Sequence, residues 1–453
     1  MEGEALPKPL LSRLSQAADE VARHSEVRVI THYDADGISC AGIISTVLIR
    51  EGKRFQLTMV KSLEDETVKE LGKEAKLLIM ADMGSGNLST LEALDAKVIV
   101  LDHHQPLGDS EKIVHINPHL FSIDGMTGGC AGAMCMVFAL AVDEDNWDML
   151  PIAFAGIVGD RQHIRGLSGI NKYLLDNGMA KKVVELRPGS LIPEGRLSEG
   201  LTECVEPYLI GVSGSMEGAM SLLREAGISE DATLGQLNDN ERRKLNSLIA
   251  LQLLSQGCTT SAMQELIADR YYFPAWQVFA DDLAQLFNAC GRTDQEGIGV
   301  SLALRDRSAQ QSAERLRKDY RNAIIEGMRH VLKDGVATKQ NIQFFYSKNP
   351  SLSGVLGGIT MQFVGDCDKP TIVLSLHADK TRISSRASFR ILEKGVDLSL
   401  ALREAAAAVG GTGGGHAVAS GATIPKGKEE EFLQKVDAII GEQKAKKASL
   451  AAT

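Results

Sequence analysis

The sequence predicts an α/β protein: a parallel-sheet domain first, a mainly helical insertion next, and a smaller α/β domain last. Three observations carry this. Short β-rich runs alternate with segments of helical spacing up to about residue 185, the stretch 186–280 keeps helical spacing without clear strands, and strand-like runs return after residue 336. The strands of the first part are "VRVITHY" (27–33), "KLLIMAD" (76–82), "KVIVLDHH" (97–104) and "KIVHIN" (112–117), and "GISCAGIISTVLIR" (37–50) is a helix between two of them. Strands alternating with helices give a parallel sheet covered on both faces, with ligands gathering at the strands' carboxyl ends. "LRPGSLIPEG" opens the insertion, and "DNERRKLNSLIALQLLSQG" within it is helical. A connecting segment, 281–335, contains a long charged amphipathic helix at 309–333. In the last domain, 336–440, "IQFFYS", "TIVLSLH" and "TRISSRAS" are strands, followed by a helix at 396–408 and the glycine-rich "GGTGGGHAVASGA". The charged tail, 441–453, is expected to be frayed.

Composition narrows the function classes. A chain of 453 residues, 44% hydrophobic and 24% charged, is that of an ordinary globular protein with room for two or three cores. It has no apolar run of membrane-spanning length and no leader-like N-terminus, so the expected place is the cytoplasm, without a membrane partner. Seven cysteines, with no C-x-x-C pair, are expected to be reduced packing residues. A net charge of −10 argues against binding nucleic acid through a bulk positive field, yet allows an acidic site that holds phosphates through divalent metal ions.

The acidic residues are placed for such a site. A lone D-x-D-G is a turn signal, but "THYDADG" (31–37) puts Asp34 and Asp36 at a strand's carboxyl end, the next strand ends on Asp82, and another on Asp102, His103 and His104. "AFAGIVGD" closes a further apolar run on Asp160. Asp34, Asp36, Asp82, His103 and Asp160 make a thiolate-free set of oxygen and imidazole donors that suits Mn²⁺ or Mg²⁺, two ions being expected, with Asp82 a natural bridge. His104 is either a neighbouring packing residue or a phosphate contact. His32 is either an alternative ligand or a strand residue, the latter favoured, since a ligand histidine would be expected at position 30, which is Ile30.

With "DADG", a strand-terminal aspartate, "DHH" and "GIVGD" in this order, the chain resembles the DHH phosphoesterase superfamily. "INPHLFSIDGMTGGCAGAMCMVFAL" (116–140), "FNACGR" (287–292), "RISSRAS" (382–388) and "GGTGGGHAVASGA" (410–422) resemble its archaeal RecJ-like branch, the last two its DHH-associated C-terminal domain. The resemblance implies a metal centre in the first domain, nucleic-acid binding in the last, and an active-site cleft between them. It implies catalytic roles for Asp34, Asp36, Asp82, His103, His104 and Asp160, all but His104 as metal ligands. It also implies strand contacts from Arg292, Ser385, Arg386, Gly414, Gly415 and His416. The implied activity is a Mn²⁺- or Mg²⁺-dependent exonuclease on single-stranded DNA or RNA in replication or repair. The alternatives are a subunit that binds the GINS replication complex, or a phosphoesterase for small phosphate compounds.

Overall fold

The structure, a computed structural model, describes residues 5–451, which divide into two compact units, residues 5–188 with 269–320, and 189–268 with 321–451. These boundaries differ from those drawn at 185, 280 and 335, because the segment after the insertion returns to the first unit. The helix Ala280–Arg292 buries Leu283, Leu286, Phe287 and Cys290 in the first unit's core.

The first unit begins α1 (Lys8–Arg23), β1 (Glu26–His32), α2 (Ala35–Arg50), β2 (Arg54–Val60), α3 (Asp65–Gly72), β3 (Leu77–Ala81), α4 (Leu88–Glu92), β4 (Lys97–Leu101) and β5 (Val114–Ile116). It continues through α5 (Ala131–Val142), α6 (Leu150–Gly159) and α7 (Gly169–Ala180). The strands form one parallel sheet in the order β2-β1-β3-β4-β5. One face packs on α1, α2 and α5 through residues such as Val29, Ile79 and Leu101; the other, with Ile30, Met80 and Val100, packs on α3 and α4. Ile30 is thus a core residue.

Strand β2 is an addition to the sequence reading. Its "RFQLTMV" is a half-exposed edge strand in which Phe55, Leu57 and Met59 alternate with polar residues. The stretch read as mainly helical also supplies two strands: Arg270–Phe273 pairs antiparallel with both Glu185–Arg187 and Val278–Phe279 in a three-stranded sheet.

In the second unit, the helices Leu197–Glu203, Met216–Ala226, Asp239–Ser255 and Thr260–Leu266 form the insertion. A six-stranded mixed sheet follows, in the order Thr412–Gly415, Ala419–Pro425, Lys380–Arg386, Thr371–Leu376, Gln343–Tyr346, Ala337–Thr338. Its core includes Ile372, Ile383, Leu402 and Phe432. The tail expected to fray continues a helix, Glu429–Ala451, anchored by buried Val436 and Ile440; the last two residues of the tail lie outside the described ones. No helix among the described residues is long and apolar enough to cross a membrane.

Candidate metal centre

Strand register builds the site. Thr31 pairs with Ala81 and Ala81 with Leu101, so His32, Asp82 and Asp102, each one residue further on, arrive together at the carboxyl edge of the sheet. The turn signal in "DADG" is also real: Asp34 is the N-cap of α2 and its Oδ1 accepts from the Gly37 amide at 3.2 Å. Gly37 permits the tight approach, since a Cβ there would lie 2.1 Å from the carbonyl oxygen of His32.

Asp36 is buried in the first turn of α2 and receives the start of α5. Its Oδ2 accepts from the Ala131 amide at 2.8 Å and its Oδ1 from the Gly132 amide at 2.9 Å. The partial positive charge of a helix N-terminus therefore faces this carboxylate. Two glycines make room for it: a Cβ at Gly156 would lie 2.2 Å, and one at Gly132 2.8 Å, from Asp36 Oδ1.

The imidazoles complete the cluster. His103 Nε2 lies 3.4 Å from Asp82 Oδ1, 3.3 Å from Asp160 Oδ2 and 4.0 Å from Asp36 Oδ2. His32 Nδ1 lies 3.1 Å from Asp34 Oδ2 and 3.4 Å from Asp82 Oδ2. His32, favoured above as a strand residue, therefore stands among the candidate donors: it ends β1 and points past the sheet edge. Three donor groups result, His32–Asp34–Asp82, Asp82–His103–His104 and Asp36–His103–Asp160, each with its donor atoms within 4.8 Å of one another. Asp82 belongs to two of them and holds φ 58°, a left-handed conformation that aspartate tolerates better than most residues. Asp160 comes from the C-terminal end of α6 rather than from a strand.

Asp102 turns inward instead. Its carboxylate accepts from the amides of Ser85 at 2.9 Å, His103 at 2.8 Å and His104 at 3.2 Å, and from His104 Nδ1 at 2.8 Å. It thereby fixes the His104 ring. Burial would raise its pKa, but His104, His103 and the Ser85 amide outweigh this and hold it far below the carboxylate range.

The cluster retains protons when metal-free. Burial, then the charge of Asp82, pushes Asp36 up to about 7. Burial and Asp36 raise Asp160 well above its ordinary value. For His103 and His32 burial opposes protonation, yet the surrounding carboxylates win and raise both well above the usual imidazole value. Burial would also raise Asp34, but His32 and Arg292 outweigh it and hold Asp34 low.

These donors fit hard divalent cations. They are carboxylates and imidazoles, while the neighbouring thiols of Cys130 and Cys40 are pushed well up by burial and stay protonated. A pH dependence follows. Asp36, Asp160, His103 and His32 bind protons more tightly folded than unfolded, so the metal-free protein loses stability as pH rises through their folded values, about 7 for Asp36. Asp34 and Asp102 act oppositely, but only as pH falls through or below the carboxylate range. Mn²⁺ is therefore expected to raise the melting temperature more at about pH 8 than at about pH 5.5, and to release protons on binding. Equal shifts at both values would remove these groups from metal binding; calorimetry in two buffers measures the protons.

Of the remaining expected residues, Arg292 belongs to the first unit, where its charge helps hold Asp34 low, and the others belong to the second. Arg292 ends the helix Ala280–Arg292 and donates from Nη1 to Tyr33 Oη at 2.5 Å, its guanidinium 5.1 Å from the Tyr33 ring centre. Ser385 is fully buried, its hydroxyl donating to the Ser420 carbonyl at 2.9 Å, because strand alternation puts it on the same inward face as Ile383. Arg386, one residue on, donates from Nη1 to the Ser385 carbonyl at 2.8 Å, and a Cβ at Gly354 would lie 2.4 Å from its Nη2. In the glycine run, Gly413 and Gly415 are needed by the fold, since Cβ atoms there would lie 2.7 Å from the Leu402 carbonyl and 2.8 Å from the Ala419 carbonyl. At Gly414 a Cβ would meet nothing within 4 Å, so packing does not require glycine there. His416 sits in the turn that follows, its amide donating to the Ala419 carbonyl at 2.9 Å.

Comparison with known proteins bears on this geometry. Residues 26–158 match the N-terminal domain of the DHH family and residues 341–442 match the DHHA1 domain. An uncharacterised protein of Methanocaldococcus jannaschii is 32% identical over 427 residues, covering 92% of this chain and 94% of that protein. Among solved structures, RecJ of Thermus thermophilus in complex with Mn²⁺ is similar, with a TM-score of 0.61 and 18% identity over 97% of this chain. The chain spans 56% of that RecJ chain. CDC45 of Entamoeba histolytica has a TM-score of 0.62 and 13% identity, covering 96% of this chain and 98% of its own.

Proposed function

The chain belongs to the DHH family and has a RecJ-like fold, and from that premise we propose that it is a divalent-metal-dependent exonuclease hydrolysing phosphodiester bonds of single-stranded DNA or RNA. The observation that carries this reading is the Asp82 carboxylate, whose two oxygens reach His32 on one side and His103 on the other. We assign His32, Asp34 and Asp82 to one ion, and Asp82, Asp36, His103 and Asp160 to a second, with Mn²⁺ or Mg²⁺ the fitting metals. When bound, such ions neutralise charge on a phosphodiester and act as Lewis acids toward its oxygens.

The protein's own residues do the rest. His104, its Nδ1 bonded to Asp102, is held with one ring nitrogen engaged and is half-exposed at the edge of the cluster, a position from which it contacts a phosphoryl oxygen. Arg292 offers a planar, bidentate fork for a neighbouring phosphate. Arg386, Gly414, Gly415 and His416 supply further strand contacts, Gly414 by presenting no side chain to a space where a Cβ would meet nothing within 4 Å. A role in replication or repair, with GINS as a partner, is the companion proposal. A purely scaffolding subunit would not need the complete donor set.

The test is digestion of end-labelled single-stranded DNA and RNA oligonucleotides with Mn²⁺, beside a dinucleotide. Stepwise shortening is expected, with oligonucleotides cleaved far faster than the dinucleotide, because contacts remote from the reacting bond position a polymer for attack. Comparable rates on both substrates would point to a small-molecule phosphoesterase instead.

A further inference from the structure

His103 is the imidazole in the buried half of the cluster, and its ring is held from behind by groups that no motif marks. Its Nδ1 lies 2.8 Å from the Gly125 carbonyl oxygen. That same oxygen accepts from Gln162 Nε2 at 2.8 Å, while Gln162 Nε2 lies 3.4 Å from His103 Nδ1. Asn171 Nδ2, from α7, donates to Gln162 Oε1 at 2.8 Å. Gln162 is 3% exposed and Asn171 fully buried, so water does not compete for these bonds.

The Gly125 carbonyl decides the tautomer. A carbonyl oxygen only accepts, so His103 Nδ1 at 2.8 Å carries the proton and donates it to that oxygen. Because Gln162 Oε1 is used by Asn171, the NH₂ end faces Gly125 and bonds the same oxygen, holding the carbonyl in place. The lone pair of the neutral ring is then left on Nε2, which faces Asp82, Asp160 and Asp36. Gly125 must be glycine for this approach, since a Cβ would lie 2.2 Å from the His103 carbonyl oxygen. Gln162 is itself fixed in a tight turn: its amide donates to the Ile157 carbonyl at 3.0 Å, and Arg161 before it holds φ 58°.

We propose that Gln162, oriented by Asn171, is a positioning residue that fixes the ring angle and tautomer of His103 through the shared Gly125 carbonyl. Groups behind a ligand histidine set its basicity and direction, and their loss typically weakens metal binding by roughly 10- to 100-fold. The inference rests on reading the cluster as a divalent-metal centre, and the experiment separates the two.

Mn²⁺ binding to the full chain is measured by electron paramagnetic resonance for the wild type, Gln162→Met and Asn171→Ala. Gln162→Met keeps the side chain's length and removes its amide. It is expected to weaken Mn²⁺ binding by roughly 10- to 100-fold, with the metal-free melting temperature nearly unchanged, and Asn171→Ala to weaken it less. A wild type that fails to bind Mn²⁺ would overturn the centre itself. Wild-type binding with an equal affinity in a folded Gln162→Met variant would overturn only the role of Gln162. A third measurement does not depend on any variant folding: ¹⁵N-histidine spectra of the Mg²⁺-loaded wild type are expected to show His103 protonated on Nδ1, and a proton on Nε2 instead would sink the proposal.

Discussion

Replacing Asp82 by asparagine is expected to abolish hydrolysis, lowering turnover by about a thousand-fold or more, while the metal-free protein melts no lower than the wild type. Asparagine suits the test because position 82 holds φ 58°, which asparagine tolerates and alanine does not. The shape survives and only the charge is lost. That charge is shared between the His32 and His103 sides of the cluster, so its removal weakens both proposed ion positions together. Metal-supplied stabilisation of a phosphoryl-transfer transition state is worth several kcal/mol, and each 1.4 kcal/mol or so is a factor of ten in rate. The metal-free stability follows from opposed effects: neutralising Asp82 removes its attraction for His32 and His103 but relieves its repulsion of Asp36 and Asp160, and the two offset. Turnover and melting are to be measured on the same preparation. Near wild-type turnover would remove Asp82 from the mechanism.

The second large effect is expected from a substitution that ordinarily stabilises. In a helix interior, glycine to alanine gains about 0.5–1 kcal/mol through backbone entropy. Gly156 lies within α6, yet an added methyl would sit 2.2 Å from Asp36 Oδ1. The Asp36 carboxylate has no direction in which to retreat without breaking its bonds to the Ala131 and Gly132 amides. Gly156→Ala is therefore expected to cost about 1–3 kcal/mol, as overpacking does. It should also displace Asp36 from the donor group it forms with His103 and Asp160, weakening Mn²⁺ binding by an order of magnitude or more. Thermal melting and Mn²⁺ titration check the two halves separately. A higher melting temperature with unchanged affinity would show that α6 shifts to accept the methyl, and that the glycine serves only the helix.

The sequence by itself determined the layered α/β plan of the first unit and the chain positions of most candidate donors. The physical reason is local. Strands announce themselves by apolar β-branched runs, and a parallel sheet must bring its strand ends to one edge, so the acidic and imidazole residues after 31, 81 and 101 had to meet. Only the tertiary structure decided which of them face each other. His32 joins the donors because β1 ends level with β3, whereas Asp102 turns away to hold His104. Strand alternation turns Ser385 inward, where its hydroxyl bonds the Ser420 carbonyl. Gly156 and Gln162 acquire their roles from α6 and the turn after it passing behind Asp36 and His103, residues more than fifty positions distant in the chain. Such pairings leave no periodicity to read, since an amide 2.8 Å from a carbonyl across the core is set by packing. The edge strand Arg54–Val60 carries a local signal of its own, the alternation of Phe55, Leu57 and Met59 with polar residues, and its pairing with β1 completes that edge of the sheet.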